Sequence, residues 1–339
     1  MTRRPPSRPL RAFVCAVVAG STLLASGCGT TDALVGLHPA PAEAADAAPL
    51  DEDGAAAIAA RLLAEARATA ATKGEKGDAA REKVMRGDAL VMANQTASRG
   101  AASDDEDDLA REVEPTVVAQ SSGKDWPRAI LATTLDTSTS TQYLHVMVSR
   151  DPAEPFRIEA SVPMLGGAEL PSVGGENAGA PFVDPAEGTG LVMSPKKAFE
   201  EYGAALRTPK PKKARADVST DDSFATALRD SATRQDKALG KLGTYTQKHD
   251  PRLKNTVAFR LADGGVVAFG LLRRTDTFEP SSKAKELRVP SQYAKLVGTK
   301  KVTEEMQLVS YEPVILVVPV DGDVKAIGAT ELLVSGKGS

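Results

Sequence analysis

"TVAFRLADGGVVAFGLL", residues 256–272, is built around a break. Val257, Phe259 and Leu261 recur at every second position, Asp263-Gly264-Gly265 interrupts them, and an apolar run resumes at Val266. Period two is the mark of a strand. An Asp-Gly-Gly step supplies residues that tolerate the positive φ angles of a tight turn. The stretch therefore predicts an antiparallel hairpin, with Arg260 on the face opposite the apolar one.

The pattern extends in both directions. Downstream, "EEMQLVSYEPVILVVPV" (304–320) and "VKAIGATELLV" (324–334) read as strands joined through Asp321-Gly322, and upstream "TYTQKH" (244–249) reads as another. Ahead of these come two helices. "SPKKAFEEYGAALR" (194–207) opens with Ser194 as N-cap and Pro195 at the first helical position, with Phe199, Tyr202 and Leu206 on one face. In "DDSFATALRDSATRQDKAL" (221–239), Phe224, Leu228, Ala232 and Leu239 share a stripe. The first half of the chain follows the same plan. "DEDGAAAIAARLLAEARATAAT" (51–72) predicts a helix with acids in its first turn and Ile58, Leu62 and Ala66 recurring every four residues. A second helical stretch at 78–97 is interrupted at Gly87. Strands then come in series: "PTVVAQ", "RAILATTL", "QYLHVMV" and "FRIEASV". Between the halves, residues 166–193 are loaded with Gly and Pro and read as an extended connector.

Helices followed by antiparallel strands, twice over, predict an α+β protein in which helices cover one face of a curved sheet. This organisation resembles the cone-shaped, cystatin-like fold of nuclear transport factor 2, SnoaL-type cyclases and ketosteroid isomerases, present as two tandem domains at 51–165 and 194–335. "WPRAILATTL", "FRIEASVPMLGGAELP", "SPKKAFEEYGAAL" and "VAFRLADGGVVAFGLLRRTDTF" also resemble a group of two-halved actinobacterial lipoproteins of uncharacterised function. The resemblance spans most of residues 50–335 and implies fold and location, with no activity or functional residues attached.

The N-terminus fits that location. Arg3, Arg4, Arg8 and Arg11 precede an uncharged run from Ala12 to Ser26, too short to span a bilayer comfortably, which reads as a secretory signal peptide over 1–27. Leu24, Ala25, Ser26 and Gly27 lead into Cys28 and resemble the bacterial lipobox, with Ala25 standing where Leu is commoner. The match implies cleavage between Gly27 and Cys28 and a diacylglyceryl thioether on the Cys28 sulfur, the nucleophilic atom such a modification needs. The chain has two cysteines, and Cys15 lies within the removed segment. A mature body with no possible internal disulfide rests on its core alone, and acylation caps the one remaining thiol. Two acyl chains, at about 0.8 kcal/mol per buried methylene, hold a protein on a membrane. Residues 28–50, punctuated by Pro and Ala, read as a tether reaching up to about 60 Å. The expected location is the extracytoplasmic face of the cell membrane.

Without the first 27 residues, 38 basic side chains stand against 45 acidic ones, a net charge of −7, which gives no reason to expect a nucleic-acid partner. The signals for chemistry are few. The histidines are His38, in the tether, and His145 and His249 on strands, with no metal-ligand spacing among them. Neither cofactor nor metal is expected. Ser194 and Lys197 form an S-x-x-K match without the S-D-N and K-T-G partners that give it meaning, and a capping serine explains it. "GGENAG" (174–179) neither follows a strand nor opens a helix, so it is no nucleotide loop.

A pocket carboxylate acting as base needs an acid on an inward face. Alternation sends Arg157 and Glu159 outward, opposite Phe156, Ile158, Ala160 and Val162, and leaves Asp136, Glu312 and His145 as candidates. The acidic run Asp104–Asp108 lacks the glycine and glutamate of a calcium loop. The basic loop with Arg207, Lys210, Lys212, Lys213 and Arg215 suits an anionic surface or a solvated turn. The expected function is non-catalytic binding of a partner or small apolar ligand. The alternatives are an isomerase- or cyclase-type enzyme and a structural envelope component.

Overall fold

The computed structural model describes residues 48–100, 114–123, 126–174, 179–213, 215 and 217–339. The signal-peptide reading, Gly27, Cys28, His38 and the acidic run at 104–108 lie outside the described residues. The fold is α+β. Three helices, α1 (Glu52–Thr69), α2 (Gly74–Val84) and α3 (Gly87–Arg99), precede four strands, β1 (Thr116–Gln120), β2 (Arg128–Asp136), β3 (Thr141–Ser149) and β4 (Arg157–Pro163). These strands form an antiparallel meander in chain order. The second half places α4 (Pro195–Ala205) and α5 (Ser223–Leu239) before β5 (Gly243–Arg260), β6 (Val266–Pro280), a short insertion of β7 (Leu287–Arg288), α6 (Ser291–Val297) and β8 (Lys301–Val302), then β9 (Met306–Val318), β10 (Lys325–Ala329) and β11 (Leu332–Gly338). Its sheet runs β10-β9-β6-β5, with β11 on another stretch of β9.

Local chemistry accounts for the elements. The Asp51 side chain accepts from Gly54 N at the start of α1, Ser194 from Lys197 N at α4, and Asp222 from Ala225 N at α5, each satisfying an orphan donor of a first turn. The β5–β6 hairpin turns at Asp263-Gly264-Gly265, where Gly264 takes φ +86° and Gly265 N donates to the Asp263 carboxylate. The two strand segments expected at 244–249 and 256–261 prove to be one long strand, β5, with an irregularity between Arg252 and Val257. Between those pairings β5 advances five residues while β6 advances two, and this odd mismatch reverses which residues of β5 face which side.

The two sheets lie face to face, each with its helices on the outside. Ile130, Ala132, Met147 and Ile158 turn one face of the first sheet onto Ala55, Ala59, Leu62 and Ala66 of α1. Leu131, Leu144, Val146 and Val162 turn the other face onto Phe259, Val267, Phe269 and Ile315 of the second sheet. The far face of the second sheet, with Ala268, Leu272, Val314 and Leu316, is covered by Phe199, Tyr202 and Leu206 of α4 and Leu228 of α5. Both faces of β2, β6 and β9 are therefore buried. This is why they read as nearly continuous apolar runs instead of alternating ones. Packing over the second sheet is close. A Cβ on Gly270 would stand 2.7 Å from the Phe199 ring, and one on Gly203 would stand 2.6 Å from the His249 carbonyl oxygen.

The connector at 166–193 crosses between the halves and adds to both. Just before it, Leu165 N donates to Ile327 O; within it, Ala180 bridges to Ser121, Phe182 bridges to Phe259, and the Phe182 and Phe259 rings lie tilted with centroids 4.9 Å apart.

Candidate functional site

The open edge of the first sheet carries a groove of about 1200 Å³. β1 forms its floor through Val117–Gln120, the connector supplies Leu170 and Val173, and the start of α1 supplies Leu50, Asp51 and Glu52. Thr133, Gln142 and Met164 complete it from the meander. Among the described residues that line it, the charged ones are Asp51, Glu52 and Glu169, with no lysine or arginine. The lining is mixed, with Val117, Val118, Leu170 and Val173 beside the acids Asp51, Glu52 and Glu169 and the amides Gln120 and Gln142.

A second assembly of polar groups is sealed under α4 and α5. Glu312 on β9 and His249 on β5 meet with Nδ1 to Oε2 at 2.7 Å, and both side chains are fully buried. Arg274 on β6 donates to Glu312 Oε1 at 3.2 Å, to Asp276 Oδ2 at 3.0 Å and to the Ser310 hydroxyl at 3.2 Å, and it pairs with Glu331. Burial alone would lower the Arg274 pKa, yet Asp276, Glu312 and Glu331 together raise it above the ordinary value, so the cation is permanent. Tyr245 donates to Asp276 at 2.7 Å, and burial next to that carboxylate raises the phenol pKa. Tyr202 donates to Asp222 and is raised for the same two reasons.

The sequence candidates thus fall in three different places. Glu312 belongs to this sealed cluster. Asp136 ends β2, where its carboxylate accepts from Ser138 and Thr139 of the following turn; those bonds lower its pKa to about 2, leaving it ionised. His145, 5% exposed, is held between Thr134 Oγ1 at 2.8 Å and Ser161 Oγ at 3.0 Å, one hydroxyl donating to the ring and the other accepting from it. The structure brings none of the three together.

Glu159 departs from the expected outward orientation, because it is 1% exposed. Two causes combine: the first sheet has no solvated face, and a bulge between the Ile158 and Ala160 pairings breaks the alternation. Glu159 is matched there by Arg86, at the start of α3, and by Arg150 at 2.8 Å. Nearby Asp88 has its pKa raised by burial, partly offset by a bond from Asn255. In the basic loop, Arg215 pairs with Glu201 at 3.1 Å and Arg207 approaches Asp250 at 3.9 Å. Lys197 of the S-x-x-K match pairs with Glu201 at 2.7 Å. Among the described residues, no group of three or more His, Cys, Asp or Glu side chains is arranged to hold a metal ion. No described helix is long and apolar enough to cross a membrane.

Burial lowers the His145 pKa from 6.5 to about 4. Between those values the unfolded chain binds a proton that the folded chain refuses, so stability falls as pH drops from 6.5 to 4 and is fully present above 6.5. The loss amounts to about 3 kcal/mol. Denaturant titrations of the wild type and His145→Gln at pH 7 and pH 4 measure it. The difference between the two proteins is expected to narrow or reverse in favour of the variant at pH 4, and an unchanged difference would count against a neutral buried imidazole.

The model of one family, a domain of unknown function (DUF8094), matches residues 55–338. The chain belongs to the DUF8094 family. No curated protein and no solved structure shows significant similarity to it. The DUF8094 match contains both sheets, the sealed cluster and all of the groove except the residues before Ala55. Cys28 precedes it.

The sealed DUF8094 cluster had a sequence signal. Tyr245, Gln247 and His249 share a parity, as do Arg274 and Asp276, and Ser310 and Glu312, each set continuing a strand whose other end is apolar. The groove had none, because it forms only where the connector crosses the edge of β1.

Proposed function

We propose that this DUF8094 protein is a lipoprotein held by Cys28 on the extracytoplasmic face of the membrane, where it binds a small, largely apolar ligand in the groove along β1 without transforming it. The groove carries the reading. It is large enough to admit a small molecule, has an apolar floor, and is lined in part by Ala48 and Leu50, just before α1. The order of helices before an antiparallel sheet in each half supports taking the halves as two tandem cones of the nuclear transport factor 2 kind. An isomerase-like role is less well supported, since His145, His249, Glu159 and Glu312 are at most 5% exposed and each is already bonded within the protein. A structural envelope role draws support from the broad apolar contact between the sheets.

Two experiments test the parts separately. Nile red, a neutral apolar dye, is expected to fluoresce on mixing with the wild-type chain, and Leu170→Arg to weaken its binding at least tenfold with folding intact. Equal binding by the variant would remove the groove from the account. For the anchor, mass spectrometry of the cell-derived protein is expected to find an acylated Cys28 at the mature N-terminus, and Cys28→Ser to release the protein from membranes. A free Cys28 or a different cleavage point would overturn that part.

A further inference from the structure

The sealed cluster is almost a closed ring. Gln247 Nε2 donates to Asp276 Oδ1 at 3.0 Å, Arg274 Nε donates to Asp276 Oδ2 at 3.0 Å, and Arg274 Nη1 donates to Glu312 Oε1 at 3.2 Å. Glu312 Oε2 then bonds His249 Nδ1 at 2.7 Å. Each residue uses one end for one neighbour and the other end for the next. The circuit stops at His249 Nε2 and at Gln247 Oε1, both buried and neither with a hydrogen-bond partner among the described residues. The residues are 1% and 2% exposed.

Neither end can turn away to find another bond. A carboxylate accepts hydrogen bonds and does not donate them, so Asp276 fixes the amide nitrogen of Gln247 toward itself and directs Oε1 to the other side. In a neutral imidazole, the Nδ1–H that bonds Glu312 leaves Nε2 an acceptor. Buried acceptors left unmet keep the desolvation cost with nothing to offset it. They project from the same face of β5 two residues apart, a separation of about 7 Å between Cα atoms. A water oxygen making two bonds of about 2.8 Å spans acceptors about 4.5 Å apart and carries the two protons they need.

We propose that a single buried water bridges His249 Nε2 and Gln247 Oε1, donating to both and closing a ring that ties β5, β6 and β9 together. Neither atom has a protein partner among the described residues, and an apolar occupant would leave both unmet. The closed ring fixes the mutual register of the three longest strands, since sliding any one of them by a residue would turn its polar members to the opposite face.

A crystal structure of the wild-type chain at about 1.5 Å resolution or better tests this. The expected result is a density peak, refining as water, within hydrogen-bond distance of both atoms, together with a water-to-His249 Hε1 cross-peak in rotating-frame NMR spectra of the same protein. Absence of the peak, a direct His249–Gln247 bond, or a protein side chain in that place would overturn the proposal.

Discussion

Arg274→Met is expected to destabilise the folded chain by about 3–5 kcal/mol, the usual cost of breaking a buried ion pair from one side. Methionine keeps much of the apolar stem and removes the charge. Asp276 and Glu312, with side chains 9% and 0% exposed, would then lose the cation that bridges them. Arg274→Lys, which keeps the charge but not the planar fork, is expected to lose less. Denaturant unfolding of the three proteins measures the difference. A loss below about 1 kcal/mol for Arg274→Met would mean that the carboxylates are hydrated and that the cluster is not sealed.

Phe259→Ala is expected to cost a similar amount, about 3–5 kcal/mol, for a different reason. The ring is fully buried between the sheets, packed on Phe182 at 4.9 Å and against residues of the first meander. Truncation leaves a cavity that neither sheet can collapse to fill, because each is held on its outer face by helices. Phe259→Leu is expected to recover much of the loss. If Phe259→Ala costs no more than an exposed substitution does, the sheets do not pack tightly.

Much of this fold is legible in the amino-acid sequence. The Asp263-Gly264-Gly265 turn, the Ser194 and Asp222 caps and the four strands of the meander all have local causes, and the structure forms them where those causes lie. The face-to-face arrangement is not legible in the same way. Runs such as "AILA" at 129–132 and "VVAF" at 266–269 signal strands buried on both sides, but periodicity does not say what covers them. The short β7–α6–β8 insertion shows no strong period and forms against Phe278 and Met306, on the strands that flank it, and against Tyr245, far upstream on β5. Glu159 misled because alternation presumes both an outward face and an unbroken ladder, and β4 has neither. For the site, the parity of Tyr245, Gln247 and His249 was visible, whereas the meeting of Arg274 and His249 with Glu312 depends on cross-strand register.

The account turns on the two sheets sharing one core, so that the halves stand or fall together. Trp126 is the sole tryptophan and lies in the first half, whereas Arg274 lies in the second, on the face of its sheet turned away from the first. Equilibrium unfolding of the wild type and Arg274→Met, followed both by Trp126 fluorescence and by far-ultraviolet circular dichroism, therefore bears on it directly. Coincident curves that both move to lower denaturant in the variant are the expected outcome. A Trp126 transition that stays in place while the dichroism splits in two would contradict a shared core.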